Sequence, residues 1–365
     1  MALVPAGTPP AVKYPRTRYG RCLSGDSGGM SVAVTQLQNT VRDLLADGKG
    51  LLAADESTGT ITKRFDAVGV ESTEDNRRAF RELMFTAPDV EQWLGGVILY
   101  DETIRQSTSD ETPMPGQLVK RGIVPGIKVD KGAKPLALRG GEKVTEGLDG
   151  LRERFEEYRD LGARFAKWRA VVELGDRIPT EAALVANGHA MARYAALAQE
   201  AGLVPIVEPE AIMDGTQTLD RSAEVSEAML RELFTQLRGQ GVVLEGLLVK
   251  TNMVVSGYRT EQQAGPEEVA ERTTTILRRT VPAAVPGIVF LSGGQTDAQA
   301  TENLDAIARR GPHPWTVSFS YARALQGAAM QAWAGKPDNV PEAQEIFRDR
   351  VRRTAAANRG EMAAA

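Results

Sequence analysis

A lysine at the end of an apolar run is the residue of this sequence whose surroundings most favour covalent chemistry. Lys250 directly follows the apolar residues 247–249. Burial of an amine disfavours its charged form, and nearby positive charges act in the same direction, so a neutral, nucleophilic amine becomes accessible. Lys128 and Lys167 lie in other apolar runs and would supply such charges. From these residues alone, a lysine that pairs with a carboxylate and is chemically silent remains an equal alternative.

Carboxylates occupy the same kind of position. Glu208 and Glu210 flank Pro209 at the end of one apolar run, and Asp55 follows another. Such groups divide proton transfers as acid and base when their environments separate their pKa values. A static network in which they only neutralise the lysines is the alternative that these residues leave open.

Two further segments have the features of a phosphate site. The segment 291–295, LSGGQ, follows a predicted strand and opens a predicted helix, so bare backbone N–H groups can meet an anion there. The segment 320–323 follows the next strand and adds the hydroxyl of Ser320 and the guanidinium of Arg323. Loops after the seventh and eighth strands are where β/α barrels often bind phosphate.

The elements that must position these residues alternate along the chain. From Val34 onward, short apolar runs alternate with longer amphipathic runs, a pattern typical of βα units and a parallel sheet. The fold class predicted is α/β, a TIM (β/α)8 barrel with extra N- and C-terminal helices around 36–45 and 321–360. The predicted strands are 50–54, 96–100, 124–129, 164–169, 203–208, 246–250, 287–292 and 315–320. Helices are predicted within 147–162, 180–202, 222–241, 266–281 and 296–310.

In a barrel of this kind the catalytic groups stand at the carboxyl ends of the strands. Each predicted strand delivers a chargeable or hydroxyl residue to that end. These residues are Asp55, Asp101, Lys128 with Asp130, Lys167 with Arg169, Glu208 with Glu210, Lys250, Ser292, and Ser320 with Arg323. A solvated charge at a strand end is common, but the coincidence over the whole barrel favours a site.

The N-terminal segment differs in composition from the rest. Residues 1–29 contain four basic residues, one acid and several prolines and glycines without apolar periodicity. They are predicted to be a disordered tail or an upstream extension. Residues 30–365 are predicted to form a single domain, because no Gly/Ser-rich or Pro-rich linker interrupts them.

The composition excludes several classes of function. With 44 basic and 48 acidic side chains and no sustained basic cluster, nucleic acid is not an expected partner. The single cysteine, Cys22, allows no intrachain disulfide and is typical of a reducing, cytoplasmic compartment. Neither His189 nor His313 has a neighbour at metal-ligand spacing, so no metal is expected. No apolar run reaches the roughly 20 residues of a membrane span.

Several strings in the chain resemble class I fructose-bisphosphate aldolases. They follow one another in the order of that family between about Val34 and about Asn358. The strings are LLAADESTG at 51–59, GGVIL at 95–99, IKVDKG at 127–132, FAKWR at 165–169, VEPE at 207–210, FLSGGQ at 290–295 and FSY at 319–321.

The resemblance implies a role for each group at the strand ends. Lys250 would be the Schiff-base lysine, whose amine attacks the ketone carbon of fructose 1,6-bisphosphate before the bond between carbons three and four breaks. Glu208 would be the acid and base in Schiff-base formation. Asp55 would handle the hydroxyl proton at the cleaved bond, with Lys167 and Glu210 as electrostatic partners. The products would be dihydroxyacetone phosphate and glyceraldehyde 3-phosphate.

The resemblance also implies two phosphate sites, no cofactor and no metal, and a homotetramer that binds only small phosphosugars. One phosphate would lie on Ser292, Gly293, Gly294, the backbone of Ala322 and Arg323, with Ser320 close by. The other end of the sugar would meet Lys128, Arg169, Ser57, Thr60 and Arg64.

The sequence departs from the family at three places. Thr251 stands where the family commonly has proline, and Ala322 where it commonly has glycine; both are expected to tune the activity without abolishing it. The chain ends at 359–365 without the terminal tyrosine of animal and plant members. Enamine protonation is therefore expected to be slower or to use another group, and the preference for the bisphosphate over the monophosphate to be reduced.

Two rival interpretations remain at this point. One is a Schiff-base lyase acting on a related phosphosugar, which two phosphate sites disfavour. The other is a non-catalytic phosphosugar-binding or scaffold barrel, which the joint presence of Lys250, Glu208 and Asp55 disfavours as the sole role.

Overall fold

Eight parallel strands close into a barrel in the computed structural model, which describes residues 27–362. The strands in chain order are β1 (Gly50–Ala54), β2 (Leu94–Leu99), β3 (Val124–Lys128), β4 (Ala133–Pro135), β5 (Lys143–Thr145), β6 (Phe165–Val172), β7 (Val204–Ala211), β8 (Leu248–Thr251), β9 (Gly287–Phe290) and β10 (Thr316–Tyr321). The barrel order is β1-β2-β3-β6-β7-β8-β9-β10, with β10 pairing back onto β1. This confirms the predicted TIM barrel, and each barrel strand overlaps a predicted strand. The antiparallel hairpin β4–β5 was not predicted.

Helices fill the connections and flank the barrel. They are α1 (Ser27–Leu44), α2 (Thr58–Asp66), α3 (Glu74–Thr86), α4 (Asp101–Ile104), α5 (Met114–Lys120), α6 (Leu151–Asp160), α7 (Glu181–Glu200), α8 (Leu219–Gln240), α9 (Pro266–Thr280), α10 (Asp297–Arg309), α11 (Arg323–Trp333) and α12 (Val340–Asn358). Short 3₁₀ helices lie at Ala46–Gly48, Val90–Gln92, Leu244–Gly246 and Pro337–Asn339. Within residues 27–362, no helix has the length and apolarity needed to cross a membrane.

Side-chain caps fix where several of these helices begin. The hydroxyls of Thr180, Thr218 and Thr296 accept backbone N–H groups in the first turns of α7, α8 and α10. The predicted C-terminal stretch 321–360 forms two helices, because Ala334 and Gly335 adopt positive φ angles of 45° and 74° between them.

The first helix is longer than predicted. It begins at Ser27, so residues 27–29, which the sequence pattern assigns to a tail, belong to α1. Helix formation is cooperative, and the buried face formed by Leu37, Val41 and Leu44 stabilises the turns that precede it. Residues 1–26 of the predicted tail, and Ala363–Ala365 at the chain end, lie outside the described residues.

The interior of the barrel has its own apolar cluster. Leu37, Val41 and Leu44 of α1 pack there against strand residues, which are Leu51, Ala53, Ile98, Phe165, Val204, Ile206, Leu248 and Val289. Gly126 of β3 makes room for this packing, since a Cβ atom at that position would lie 2.3 Å from the Phe165 ring. The helix α1 therefore closes one end of the barrel, and the site lies at the other.

Candidate active site

The carboxyl ends of the strands surround an open cavity of about 530 Å³. Successive residues of a strand alternate between its two faces, so Lys167 and Arg169 lie on the same face as Phe165, and Glu208 and Glu210 on that of Ile206. All sixteen predicted site residues line this cavity. They are Asp55, Ser57, Thr60, Arg64, Lys128, Lys167, Arg169, Glu208, Glu210, Lys250, Ser292, Gly293, Gly294, Ser320, Ala322 and Arg323.

Asp101 is the predicted strand-end group that does not line the cavity. Its carboxylate accepts the Tyr158 hydroxyl at 2.8 Å and pairs with Arg105 at 2.9 Å. Its role is therefore in the packing of α4 and α6.

Two lysines and two carboxylates form a continuous buried chain of ion pairs. The Lys250 Nζ lies 3.0 Å from Glu208 Oε1, and the other oxygen of Glu208 lies 3.0 Å from Lys167 Nζ. The Lys167 Nζ also lies 2.6 Å from Asp55 Oδ2. All four residues are buried, with at most 7% of any residue exposed. Lys250 is thus paired, and its partner is a carboxylate that can exchange a proton with it.

The ionisation of these ion-paired residues depends on the balance between burial and attraction to opposite charges. Burial alone would raise the pKa of Asp55, but the Lys167 and Lys250 ammonium groups outweigh it and hold that pKa at about 2. The same balance lowers the pKa of Glu208. Burial would lower the pKa of Lys167, whereas Asp55 and Glu208 raise it above its ordinary value. Asp55 and Glu208 are therefore both ionised at neutral pH, and Lys167 is a cation between them.

One side of the cavity mouth carries cations on β3, β6 and α2. The Lys128 Nζ lies 2.9 Å from Asp130 Oδ1, and the Arg169 Nε contacts a carboxylate oxygen of Glu210. Arg64 of α2 contacts the carboxylate of Glu56. These three cations lie at the rim, where an anionic group of a ligand can be bound without full burial.

The hydroxyls of Ser57 and Thr60 lie at the start of α2, the helix that carries Arg64. Their oxygens are 3.1 Å apart. They add neutral hydrogen-bonding groups to the cations of this rim.

The opposite side carries the glycine turn that follows β9. Gly293 has a φ of 54°, which glycine adopts without strain, and its carbonyl accepts the Arg323 Nη2 at 2.5 Å. Ser320, only 1% exposed, has a hydroxyl with no hydrogen-bond partner among the described residues. A cavity-lining hydroxyl without a partner among the described side chains and backbone is available to hydrogen-bond a ligand. Ala322 has a φ of −103°, so no glycine is required there.

Sequence reasoning missed residues that hold the site in place. The buried Arg81 donates to the backbone oxygen of Glu56 at 2.9 Å, and Gln326 donates to that of Ala53 at 2.6 Å. Both fix the end of β1, which carries Asp55. Each is a polar residue on the buried face of a helix, and that interruption of an apolar stripe is a signal that could have found them.

Three residues outside the predicted site set follow β8 or belong to its end, and of these only Thr251 was singled out from the sequence. The Thr251 hydroxyl donates to the Pro209 carbonyl at 3.2 Å, and the Asn252 amide oxygen accepts the Ala211 N–H at 2.9 Å, so both tie β8 to β7. Tyr258 lines the cavity beside the glycine turn. It stands in the irregular segment between β8 and α9, and no sequence pattern pointed to it.

The fold and the site together define a β/α-barrel enzyme whose cavity holds a buried lysine paired with a carboxylate. The family model described as fructose-bisphosphate aldolase class-I matches residues 36–365. The protein named probable fructose-bisphosphate aldolase class 1 of Xylella fastidiosa (strain Temecula1) is 55% identical over 322 residues, which are 88% of this chain and 96% of that protein. The cytoplasmic isozyme of fructose-bisphosphate aldolase of Spinacia oleracea is 50% identical over 314 residues, 86% of this chain and 88% of that protein.

A solved structure agrees with these relatives. The fructose-bisphosphate aldolase of Plasmodium falciparum, in complex with TRAP and a small-molecule inhibitor, superposes with a TM-score of 0.89 at 43% identity, covering 91% of this chain and 96% of that one. The chain belongs to the class I fructose-bisphosphate aldolase family. It is an aldehyde-lyase of glycolysis that cleaves fructose 1,6-bisphosphate reversibly to two triose phosphates through a Schiff base.

Proposed function

We propose that Lys250 is the lysine that forms this Schiff base and that Glu208 moves the protons of its formation. The observation that carries the proposal is the 3.0 Å contact between the buried Lys250 Nζ and Glu208 Oε1. The amine, after losing a proton to Glu208, bonds to the ketone carbon and gives a carbinolamine. Protonation of the carbinolamine oxygen by the same carboxyl group releases water and leaves the iminium.

Asp55 is the base for the cleavage step. Its low pKa keeps it ionised, so it can take the proton of the hydroxyl on carbon four. The O–H electrons form the aldehyde carbonyl, and the electrons of the bond between carbons three and four move into the iminium to give an enamine. Protonation at carbon three and hydrolysis then release dihydroxyacetone phosphate and the free Lys250 amine.

Lys167 and Glu210 act electrostatically. Lys167 contacts both Asp55 and Glu208, so it stabilises whichever of the two carboxylates is negatively charged during the reaction. Glu210 pairs with Arg169 and orients that guanidinium toward the cavity.

The two phosphates of the sugar bind at opposite sides of the cavity. One lies on the turn Ser292, Gly293 and Gly294 with Ala322, Arg323 and Ser320, and its support is the orphan Ser320 hydroxyl. The other lies among Lys128, Arg169, Ser57, Thr60 and Arg64, and its support is the group of cations on that rim.

The protein is also proposed to be a cytoplasmic homotetramer whose aldolase domain spans 30–365. The cytoplasmic location is supported by plant relatives whose names specify the cytosol, including those of Arabidopsis thaliana. The domain bounds are supported by the family match over residues 36–365. The tetramer is supported by the family resemblance, and light scattering after size-exclusion chromatography would measure it.

Trapping of the covalent intermediate tests the proposal. The full chain is treated with borohydride, dihydroxyacetone phosphate and EDTA, and the adduct is located by intact-mass and peptide mass spectrometry. An adduct on Lys250 is expected, and Lys250→Ala should lose both the adduct and cleavage. Lys143→Ala, which removes a lysine that does not line the cavity and has a 44% exposed side chain, is the matched control and should keep both. An adduct on Lys167 or Lys128, or none while the ligand binds, would contradict the assignment.

A further inference from the structure

Tyr258 is built into the glycine turn that follows β9. Its hydroxyl oxygen accepts the backbone N–H of Gly294 at 2.8 Å. Its ring occupies the space where a side chain of residue 294 would begin, since a Cβ atom there would lie 2.0 Å from the ring. The turn therefore has glycine at 294 because the tyrosine ring lies against it.

The backbone around Tyr258 is held rigidly. The Gly257 N–H donates to the Gln217 carbonyl at 2.9 Å, the Tyr258 N–H to the Met213 carbonyl at 2.8 Å, and the Arg259 N–H to the Gly215 carbonyl at 3.0 Å. This segment thus pairs with the loop that follows β7, and it presents the Tyr258 side chain to the cavity. Preorganisation of this kind is typical of groups that recognise a ligand.

The hydroxyl of Tyr258 can donate one further hydrogen bond. A phenol both accepts and donates, and within residues 27–362 the structure gives its oxygen the Gly294 N–H but gives its proton no acceptor. Burial raises the pKa of Tyr258 to about 12, and Glu210 and Asp214 act in the same direction. The proton is therefore retained at neutral pH and is available to an anion in the cavity.

We propose that the Tyr258 hydroxyl is an additional ligand of the phosphate held at the Ser292–Gly294 turn. In this arrangement Gly294 N–H donates to Tyr258 Oη, and Tyr258 Oη–H donates to a phosphate oxygen. A donor that itself accepts a hydrogen bond is a stronger donor, so the relay transmits the polarity of the turn to the phosphate. The inference rests on the proposed function, because it takes this turn as a phosphate site.

The neighbouring strands indicate which phosphate this is. Lys250 of β8 lies opposite Val289 of β9, and the turn begins three residues beyond Val289. The phosphate nearest the Schiff base in the chain of the sugar is the one on the ketone half. Tyr258 would therefore recognise the phosphate of the ketone triose and leave the aldehyde triose to the Lys128 and Arg169 side.

The test measures the two half-substrates separately. Tyr258→Phe keeps the ring that packs on Gly294 and removes only the hydroxyl. The half-saturating concentration of dihydroxyacetone phosphate is measured from borohydride-trapped Lys250 adduct and from the condensation reaction, and that of glyceraldehyde 3-phosphate from condensation. Tyr158→Phe is the matched control, because it removes a hydrogen-bonded hydroxyl outside the cavity.

Loss of a hydrogen bond to a charged acceptor predicts about a tenfold rise in the half-saturating concentration of dihydroxyacetone phosphate. The value for glyceraldehyde 3-phosphate, the amount of adduct at saturation and the melting temperature should change little. An unchanged half-saturating concentration of dihydroxyacetone phosphate would overturn the inference. A lower concentration would overturn it too, because Tyr258 would then only compete with the phosphate for the Gly294 N–H. Absence of any Lys250 adduct in the unmutated enzyme would instead be a failure of the proposed function.

Discussion

The two ends of the barrel interior are built from the same strands and have opposite chemistry. Toward α1 the strands contribute Leu51, Phe165 and Ile206, together with the other residues of the apolar cluster. Two or four residues further along each strand, on the same face, they contribute Asp55, Lys167 and Glu208, which are buried as well.

The contrast assigns stability mainly to one end of the barrel interior and activity to the other. Apolar burial at one end contributes favourable free energy, whereas burial of charges at the other end is favourable only while each charge keeps its partner. The chain of pairs from Lys250 to Asp55 satisfies that condition. The apolar end thus holds the strands in the register that brings these charges together, and four variants with one control would break or sharpen the contrast.

The largest effect is expected from the cation that links the two carboxylates. Lys167→Met removes the one ammonium group that contacts both buried carboxylates, Asp55 and Glu208, so we expect a loss of about 3–5 kcal/mol in the free energy of unfolding. The value of kcat should fall by roughly 100- to 1000-fold as transition-state charge loses its partner. Urea unfolding and steady-state cleavage measure these quantities.

A surface pair provides the control for that variant. Lys143 pairs with Glu173 at 2.6 Å with a 44% exposed side chain, and Lys143→Met should change the free energy of unfolding by less than about 1 kcal/mol. Equal effects of the two substitutions on the free energy of unfolding would show that the buried ion pairs of Lys167 contribute no more to stability than a surface pair.

The apolar end should respond in stability alone. Leu51→Ala removes a fully buried side chain of β1, four residues before Asp55, which directly follows that strand. We expect a loss of about 3 kcal/mol in the free energy of unfolding, with kcat of the folded enzyme within about threefold. Urea unfolding and active-site titration with borohydride separate the two quantities, and a loss of kcat equal to that of Lys167→Met would remove the distinction between the two ends.

The charged end should also show a pH dependence that the apolar end lacks. Because the folded pKa of Asp55 is lowered, to about 2, its contribution to stability is present above the unfolded pKa and is lost as pH falls through the folded value. The difference in unfolding free energy between the unmutated protein and Asp55→Asn should therefore be largest above about pH 5, at roughly 2 kcal/mol, and should shrink toward pH 2. The difference for Leu51→Ala should stay constant over the same range. A difference for Asp55→Asn that also stayed constant would contradict the lowered pKa of Asp55.

The smallest effect is expected at Thr251, the residue that follows Lys250. Thr251→Val keeps the shape of the side chain and removes its hydrogen bond to the Pro209 carbonyl, between Glu208 and Glu210. Loss of about 1 kcal/mol in positioning predicts a fall of roughly fivefold in kcat with KM unchanged. Steady-state kinetics measure this, and a change confined to KM would place the effect on binding.

The fold could be predicted because its signals are periodic. The eight short apolar runs and the long amphipathic helices such as α7 and α10 follow from the alternation of sequence patterns. The hairpin β4–β5 escaped because each of its strands has three residues and those of β4 are exposed, so neither has an apolar period. The start of α1 escaped because its stability comes from packing on the barrel and not from the composition of its first turn.

The site residues could be predicted to the extent that they follow strands. Lys250, Glu208 and Asp55 stand at strand ends, and parallel strands bring such ends together. Tyr258 depends on how the segment after β8 returns to the barrel, which local sequence does not specify. The low pKa of both Asp55 and Glu208 also required the geometry, because it depends on which lysine lies near each carboxylate.

The closure of the barrel by α1 has a consequence for how substrate enters the enzyme and how products leave it. With Leu37, Val41 and Leu44 stopping one end, the cavity formed by the described residues opens at the other. Substrate, both trioses and the water that hydrolyses the imine must all pass through one mouth. The ketone half is covalently held until hydrolysis, so the aldehyde departs first, and it leaves through the same mouth by which water enters. The covalent intermediate thus sets the order of product release, and the closed end of the barrel sets its route.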